Sequence, residues 1–278
     1  MNLFPTNFNP SSHSGPNSFT RGLLSNIHKR HDIKIVNSLE EADVELSIIE
    51  SYFEKTIPRI IRLDGIYFNS DQDFKSQNSK IKETYLTSDI AIFQSLFNKN
   101  LTESWFGDHP KGVVIKNGAD IDAIDKINKA DLSNTFGERK IWMSASSWRP
   151  HKRLNSNIEY FVRNSNEDDI MLIAGSGALK EDFANYENLI NSRVFYLGHV
   201  DWKSLISLYK STSTFIHLAF LDHCPNVVVD AQAAGCKIIC SSTGGTAELI
   251  YNGTIINESK WDYSPIALYK PPKIDYSL

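Results

Sequence analysis

The sequence predicts an α/β protein built on parallel sheets. Short apolar runs of four to seven residues alternate with helical stretches of about ten, the pattern of right-handed β-α-β units. Glycines stand directly behind two of the runs, at Gly175-Ser176-Gly177 and at Gly198, where a strand must give way to a loop.

In chain order, strands are expected at 32–36, 44–49, 59–63, 89–93 and 113–115, separated by polar stretches of helical character. A helix is expected from about Ser18, and the polar stretch 69–80 reads as an exposed loop or helix start. Residues 121–138 are rich in Asp, Asn and Lys and read as a linker region. The second half is more regular. Strands are expected at 140–146, 170–174, 194–197, 214–218 and 237–241. The helix over 154–164 places Ile158, Phe161 and Val162 on one face, and 178–190 also reads as helical. Asp201 caps a helix running to about Lys210, and the helix over 226–234 stops at Gly235, a natural residue for a left-handed end. Two α/β halves joined near residue 130 predict two Rossmann-like domains facing a cleft, with the first reduced. The expected divisions are 1–130, 131–255 and a tail, 256–278, packing back on the first domain. Parallel sheets bind ligands at the carboxyl ends of their strands, so chemistry belongs in the loops that follow them.

Bulk composition removes several functional classes. The chain has 278 residues, 41% hydrophobic, and a formal net charge of -4, which argues against a nucleic-acid partner. Its three cysteines, Cys224, Cys236 and Cys240, are too few and too apolar in context for a disulfide framework or a zinc site. The eight histidines show no metal spacing, and no metal or other cofactor is expected. The first residues lack the basic and apolar regions of a signal peptide, and no window approaches 18 continuous apolar residues. The expectation is a cytoplasmic enzyme without a transmembrane segment.

The sharpest chemical signal runs from Asp222 to Glu248. Asp222 and Asp230 lie eight residues apart, one in a loop behind a strand and one inside the next helix. Carboxylates suit sugar and ribose hydroxyls because each accepts two hydrogen bonds at once. The helix starting near Pro225 offers N–H groups and a positive dipole end, so Cys224, Pro225, Asn226 and Val227 are placed to face a diphosphate or a sugar oxygen. Gly244-Gly245 allows close backbone approach to a ligand. A second signal is the run from Ser146 to Arg153, holding Arg149, His151, Lys152 and Arg153. Cations at a helix start are electrostatically unfavourable unless an anion is bound there, so this loop reads as a phosphate site.

Together these residues resemble the E-x7-E region of retaining GT-B glycosyltransferases, especially glycosyltransferase family 4, the glycosyl transferases group 1. Ala231, Ala233, Gly235, Gly244, Gly245 and Glu248 occupy the family's A-x-A-x-G and G-G-x-x-E positions, with Asp at 222 and 230 where the family usually has Glu. The resemblance implies that Asp222 contacts the donor sugar, that Asp230 holds the ribose, and that Lys152 neutralises phosphate. The family's partner arginine falls on Ser147, so Arg149 or Arg153 would take its place. Gly175 and Gly177 match the family's phosphate-side turn, and Gly198-His199-Val200 matches the segment lying against the base. Gly15 stands where the family has an N-terminal glycine loop, and Asp64, at a strand end, is placed to contact the acceptor or act as a base. Residues 93–120, ending in Val114-Ile115-Lys116-Asn117-Gly118-Ala119-Asp120, resemble the end of the family's first domain. The implied activity is transfer of a sugar, with retention, from a nucleotide-diphosphate donor to a glycan, lipid-linked or small-molecule hydroxyl acceptor. Two alternatives stay open: a GT-B-like nucleotide-sugar epimerase or hydrolase, and a non-catalytic nucleotide-sugar-binding relic whose acids have become Asp.

Overall fold

The two halves of the chain solve the same packing problem with different connections. The structure is a computed structural model, and it describes residues 1–12, 14–30 and 32–276. It divides into two units, one of Met1–Asn117 with Asp262–Ile266 and one of Gly118–Trp261 with Ala267–Leu278. Each carries a six-stranded, all-parallel sheet.

The first unit runs β1 (Asn2–Thr6), α1 (Gly15–Arg30), β2 (Lys34–Ile35), β3 (Val44–Ile48), β4 (Arg59–Leu63), α2 (Phe74–Thr87), β5 (Ile90–Phe93), α3 (Leu96–Phe106) and β6 (Gly112–Val114). Its strands lie in the order β2-β1-β3-β4-β5-β6. No strand is expected from the sequence over β1, and Pro5, which cannot donate to a ladder, is unusual so near the middle of a sheet. The structure shows why proline is tolerated there. Leu3 accepts from Val36 on the β2 side, so alternation turns the Pro5 nitrogen to that side as well, and β2 pairs no further than Leu3↔Ile35. Helices α2 and α3 begin where Asp73 and Ser95 accept from Ser76 and Asn98 backbone N–H groups.

The economy of the first unit lies in its connections, not its strand count. Residues 49–58 join β3 to β4 without a helix, and Phe53 in that loop packs edge-on against Phe4 of β1. Beneath it lies a buried ion pair between neighbouring strands: Arg59 Nε donates to Glu45 Oε2 at 2.7 Å, and Thr6 Oγ1 donates to Glu45 Oε1 at 2.9 Å. The Arg59 guanidinium also donates to the Phe53 carbonyl at 2.8 Å, tying the loop to the pair.

The second unit runs α4 (Ile121–Asp125), α5 (Ser133–Phe136), β7 (Ile141–Ala145), α6 (Leu154–Asn164), β8 (Ile170–Ala174), β9 (Val194–Gly198), α7 (Trp202–Lys210), β10 (Thr214–His217), α8 (Asn226–Ala233), β11 (Lys237–Ser241) and β12 (Gly253–Ile256). The strand order is β12-β11-β10-β7-β8-β9. Alternation along β7 sends Ile141, Met143 and Ala145 to one face with α7 and α8, and Trp142 to the other with α6. Residues 121–138 are not a free linker. Ile124 is fully buried in this core, and Ser207 and Lys210 of α7, with Ser211 that caps it, donate to the carbonyls of Asn128, Ile127 and Ala130. Residues 178–190 also differ from the expected α-helix: Lys180–Leu189 forms 3-10 turns broken at Tyr186.

Glu45 is buried on both sides of its sheet position, so its removal strands Arg59 in the interior. Glu45→Ala should lower stability by about 3–5 kcal/mol, read as a fall in denaturation midpoint. A change within 0.5 kcal/mol would show that water reaches Arg59 from the loop.

Candidate active site

Strand order explains how residues distant in sequence meet. The chain moves from β7 through β8 to β9 on one side, then returns to place β10 on the other side of β7. The carboxyl ends of β7 and β10 therefore flank the point where the winding reverses, which is where an open parallel sheet leaves a crevice. The loop behind β7 is the basic run, and the loop behind β10 carries Asp222.

Lys152 and Asp222, seventy residues apart, meet there at 2.5 Å. Lys152 ends a 3-10 turn, Pro150–Lys152, and is 9% exposed. Asp222 Oδ2 also lies 2.9 Å from His217 Nε2, at the end of β10, and Oδ1 accepts from the His223 backbone N–H at 3.1 Å. Burial would raise the Asp222 pKa, but Lys152 and His217 outweigh it and hold the carboxyl well below the usual range. Burial keeps the His217 ring below its ordinary pKa, so it meets Asp222 as a neutral N–H donor. Burial likewise lowers His151 to about 3 and His223 to about 4. His151 stacks on Tyr269, with ring centroids 5.5 Å apart.

Two residues in this arrangement escape sequence reasoning. His217 stands inside an apolar strand, a polar residue where only packing is expected. Asn157 sits one position before the buried Ile158 on α6. Its amide donates to the Lys152 and Arg153 carbonyls at 3.1 Å each, and its oxygen accepts from Leu218 N–H at 2.9 Å. It fastens the basic loop to the end of β10.

The glycines hold loops against one another. A Cβ on Gly175 would lie 1.7 Å from the Ser146 carbonyl oxygen, and one on Gly177 would lie 2.6 Å from that of Trp148. Both have positive φ, and between them Ser176 accepts from Trp148 N–H at 2.8 Å. Gly244, also at positive φ, faces the Asp222 backbone, where a Cβ would approach the carbonyl oxygen to 2.4 Å. Gly245 N–H donates to that carbonyl at 2.7 Å. The close approach expected for Gly244-Gly245 is thus made to the acidic loop itself. Gly198 accepts from Gly175 N–H at 2.6 Å, which leaves His199 exposed and Val200 packed on the core.

The remaining predicted residues divide. Cys224 is buried in the core, Pro225 caps α8, and Asn226 and Val227 form its first turn, beside Asp222. Arg149 is exposed next to Lys152. Arg153 is not free to meet a phosphate. It is 5% exposed, in a left-handed backbone conformation, and its guanidinium makes a two-pronged pair with Glu258 at 2.8 and 2.9 Å and donates to the Pro272 carbonyl at 2.9 Å. Asp230, inside α8, accepts from the Trp202 indole N–H at 3.0 Å. Its burial raises its pKa to about 6, against the lowering effect of that bond.

In the first unit, Asp64 follows β4 and pairs with the buried Arg62, whose guanidinium also reaches Asn117 Oδ1 at 2.6 Å and lies 3.6 Å from the Phe19 ring centroid. The Asp64 carboxylate is thus engaged by a cation of the strand it follows. Gly15 opens α1, and a Cβ there would meet open space. Among the described residues, no group of three His, Cys, Asp or Glu side chains converges as metal ligands, and no helix is long and apolar enough to cross a membrane.

Comparison with known proteins places this geometry in context. Residues 125–263, half of the chain, match the family described as glycosyl transferases group 1. An uncharacterized glycosyltransferase of Methanocaldococcus jannaschii is 30% identical over 100 residues, which cover 34% of this chain and 26% of that protein. The chain thus matches about a quarter of that relative's length. Among solved structures, Anabaena Alr3699/HepE in complex with UDP and glucose superposes with a TM-score of 0.67 at 13% identity, covering 96% of this chain and 88% of the other. The sucrose-phosphate synthase of Thermosynechococcus elongatus gives 0.70 at 12% identity, covering 92% and 86%. The fold is that of the GT-B glycosyltransferases.

The raised pKa of Asp230 makes a pH-dependent contribution to stability. Below about pH 3.8 the carboxyl is neutral folded and unfolded, and its burial carries no charge penalty. As the pH rises towards 6, the unfolded chain releases the proton first, so the folded state loses stability, and the penalty is complete above about 6. Asp230→Asn should therefore match the parent in Tm near pH 4 and exceed it above pH 6. A difference that is flat across this window would show Asp230 ionised throughout.

Proposed function

Because the chain belongs to the glycosyl transferases group 1 family, we propose that it moves a sugar, with retention, from a nucleoside-diphosphate sugar to a hydroxyl acceptor. The observation that carries this reading is the Lys152–Asp222 pair at the reversal point between β7 and β10. An acid for the sugar and a cation for the phosphate stand side by side, at the carboxyl ends of the strands and beside the start of α8.

In this reading the bond between the sugar carbon and the β-phosphate oxygen breaks, the acceptor hydroxyl oxygen bonds to the same carbon, and the hydroxyl proton passes to the departing diphosphate. Negative charge grows on the departing diphosphate. Lys152 and the exposed Arg149 meet that charge, supported by the first turn of α8, and no metal is assigned to the step. Asp222 orients the sugar, with His217 fixing its carboxylate, and Asp230 takes the ribose hydroxyls. His199 and Val200 lie against the base, and Gly15 lies towards the phosphate and acceptor. Gly175, Gly177, Gly244 and Gly245 set the loop spacing that holds these groups in place. Arg153 anchors structure instead of binding phosphate. Asp64, paired with Arg62, positions acceptor-side groups and is not given the base role. The UDP complex of the Anabaena neighbour makes UDP-sugars the first donors to test. A cytoplasmic location, with a glycan, lipid-linked or small-molecule acceptor, completes the proposal.

The test is release of nucleoside diphosphate, measured with and without acceptor, after a thermal-shift screen of UDP-, GDP-, ADP- and dTDP-sugars. Release should require acceptor. Lys152→Ala should lower kcat by about 10²–10³-fold, and Asp222→Asn, which keeps the side chain's shape, should lower it comparably. Release without acceptor would indicate hydrolysis instead. A folded protein whose melting temperature no donor shifts would overturn the reading.

A further inference from the structure

The contact between α7 and α8 adds a residue to the donor site that the basic and acidic loops do not contain. Trp202 is the first residue of α7, directly after the capping Asp201. That helix is held rigidly, because Ile206 and Tyr209 are fully buried in the core between it and the sheet. Trp202 itself is 40% exposed. Its N–H points at Asp230 Oδ2, 3.0 Å away.

The bond has a directional consequence. An ionised carboxylate has about four acceptor positions on its two oxygens. Trp202 occupies one of them on Oδ2 and fixes the rotation of a short side chain, so that Oδ1 and the rest of Oδ2 face a fixed direction. A neighbouring pair of hydroxyls suits such an acceptor. The flat indole beside it forms one wall.

We propose that Trp202 is a positioning residue for nucleotide recognition, holding Asp230 by one carboxylate oxygen so that the acid accepts from both ribose hydroxyls of a nucleoside diphosphate. The inference rests on the donor site proposed above and assigns to it a preference for ribose over deoxyribose. Loss of the indole N–H frees Asp230 to rotate, which weakens binding of the ribonucleotide more than that of its 2′-deoxy counterpart.

The experiment is calorimetric titration of the full chain with UDP and with 2′-deoxy-UDP. The parent should prefer UDP. Trp202→Phe, which keeps an aromatic ring and removes the N–H, should weaken UDP binding about tenfold, the scale of one hydrogen bond to a charged acceptor, and remove most of the preference. Trp202→His, which keeps a ring N–H on a smaller ring, should restore part of it. In an Asp230→Asn background, Trp202→Phe should have no further effect. Melting temperatures of all variants separate these effects from a loss of fold. An unchanged preference in Trp202→Phe, or equal losses in the Phe and His variants, would overturn the proposal. A parent chain that binds UDP without preference would also overturn it, while leaving the donor site standing. Binding of no UDP, GDP or ADP by the folded parent would overturn the donor site itself.

Discussion

The adjacency of β7 and β10 is the constraint on which the rest of the site depends. Parallel pairing of Thr214 with Trp142 and Phe215 with Met143 fixes the relative height of the two strand ends. Once those heights are fixed, the loops behind them must lie side by side. A lysine and an aspartate placed a few residues beyond the strand ends then meet, although seventy residues separate them. Asn157 makes the arrangement tighter by bonding both loops from beneath. The attraction between Lys152 and Asp222 is thus a result of sheet topology before it is a source of stability. A buried pair of this kind contributes little net free energy, because desolvation offsets most of the Coulomb attraction. Its value lies in placing two opposite charges at one point with neither free to move.

Glycine patterns in the second unit follow from the same geometry. Neighbouring strands in a sheet stand about 4.8 Å apart, so the loops leaving them crowd each other. Gly175, Gly177 and Gly244 lie where one loop's backbone meets the next loop's carbonyl. A motif that resembles a ligand cradle also makes, in this molecule, a set of contacts between loops. Any ligand meets the surface those contacts build.

Much of this could be read from the sequence, because the second unit's strands are uninterrupted apolar runs such as Ile170–Ala174 and its helices begin at clear caps such as Asp201. That Asp222 and Lys152 stand in loops behind strands was accessible for the same reason: the ends of β10 and β7 are sharply marked. What escaped depends on long-range partners. No strand is expected over β1, where Pro5 stands, and only the shortness of β2 makes proline acceptable there. The charge of Arg153 resembles that of its neighbours, and its commitment is decided by Glu258, 105 residues away. Lys180–Leu189 carries helical composition but is held in tighter turns, and local periodicity does not distinguish the two.

The Arg153–Glu258 pair joins parts of the molecule with different tasks. Glu258 also accepts from Ser241 Oγ, its N–H donates to Ser242 Oγ at 2.8 Å, and the same guanidinium grips the chain again at Pro272. The residue next to Lys152 is therefore an anchor for the last stretch of the chain, and that stretch in turn props the basic loop from behind. Proteolytic trimming beyond residue 257 would leave a buried guanidinium without its carboxylate, and the loop bearing Lys152 would relax. Glu258 and Pro272 are thus keystones of the basic loop instead of ornaments on the fold, because between them they hold the side chain that follows Lys152.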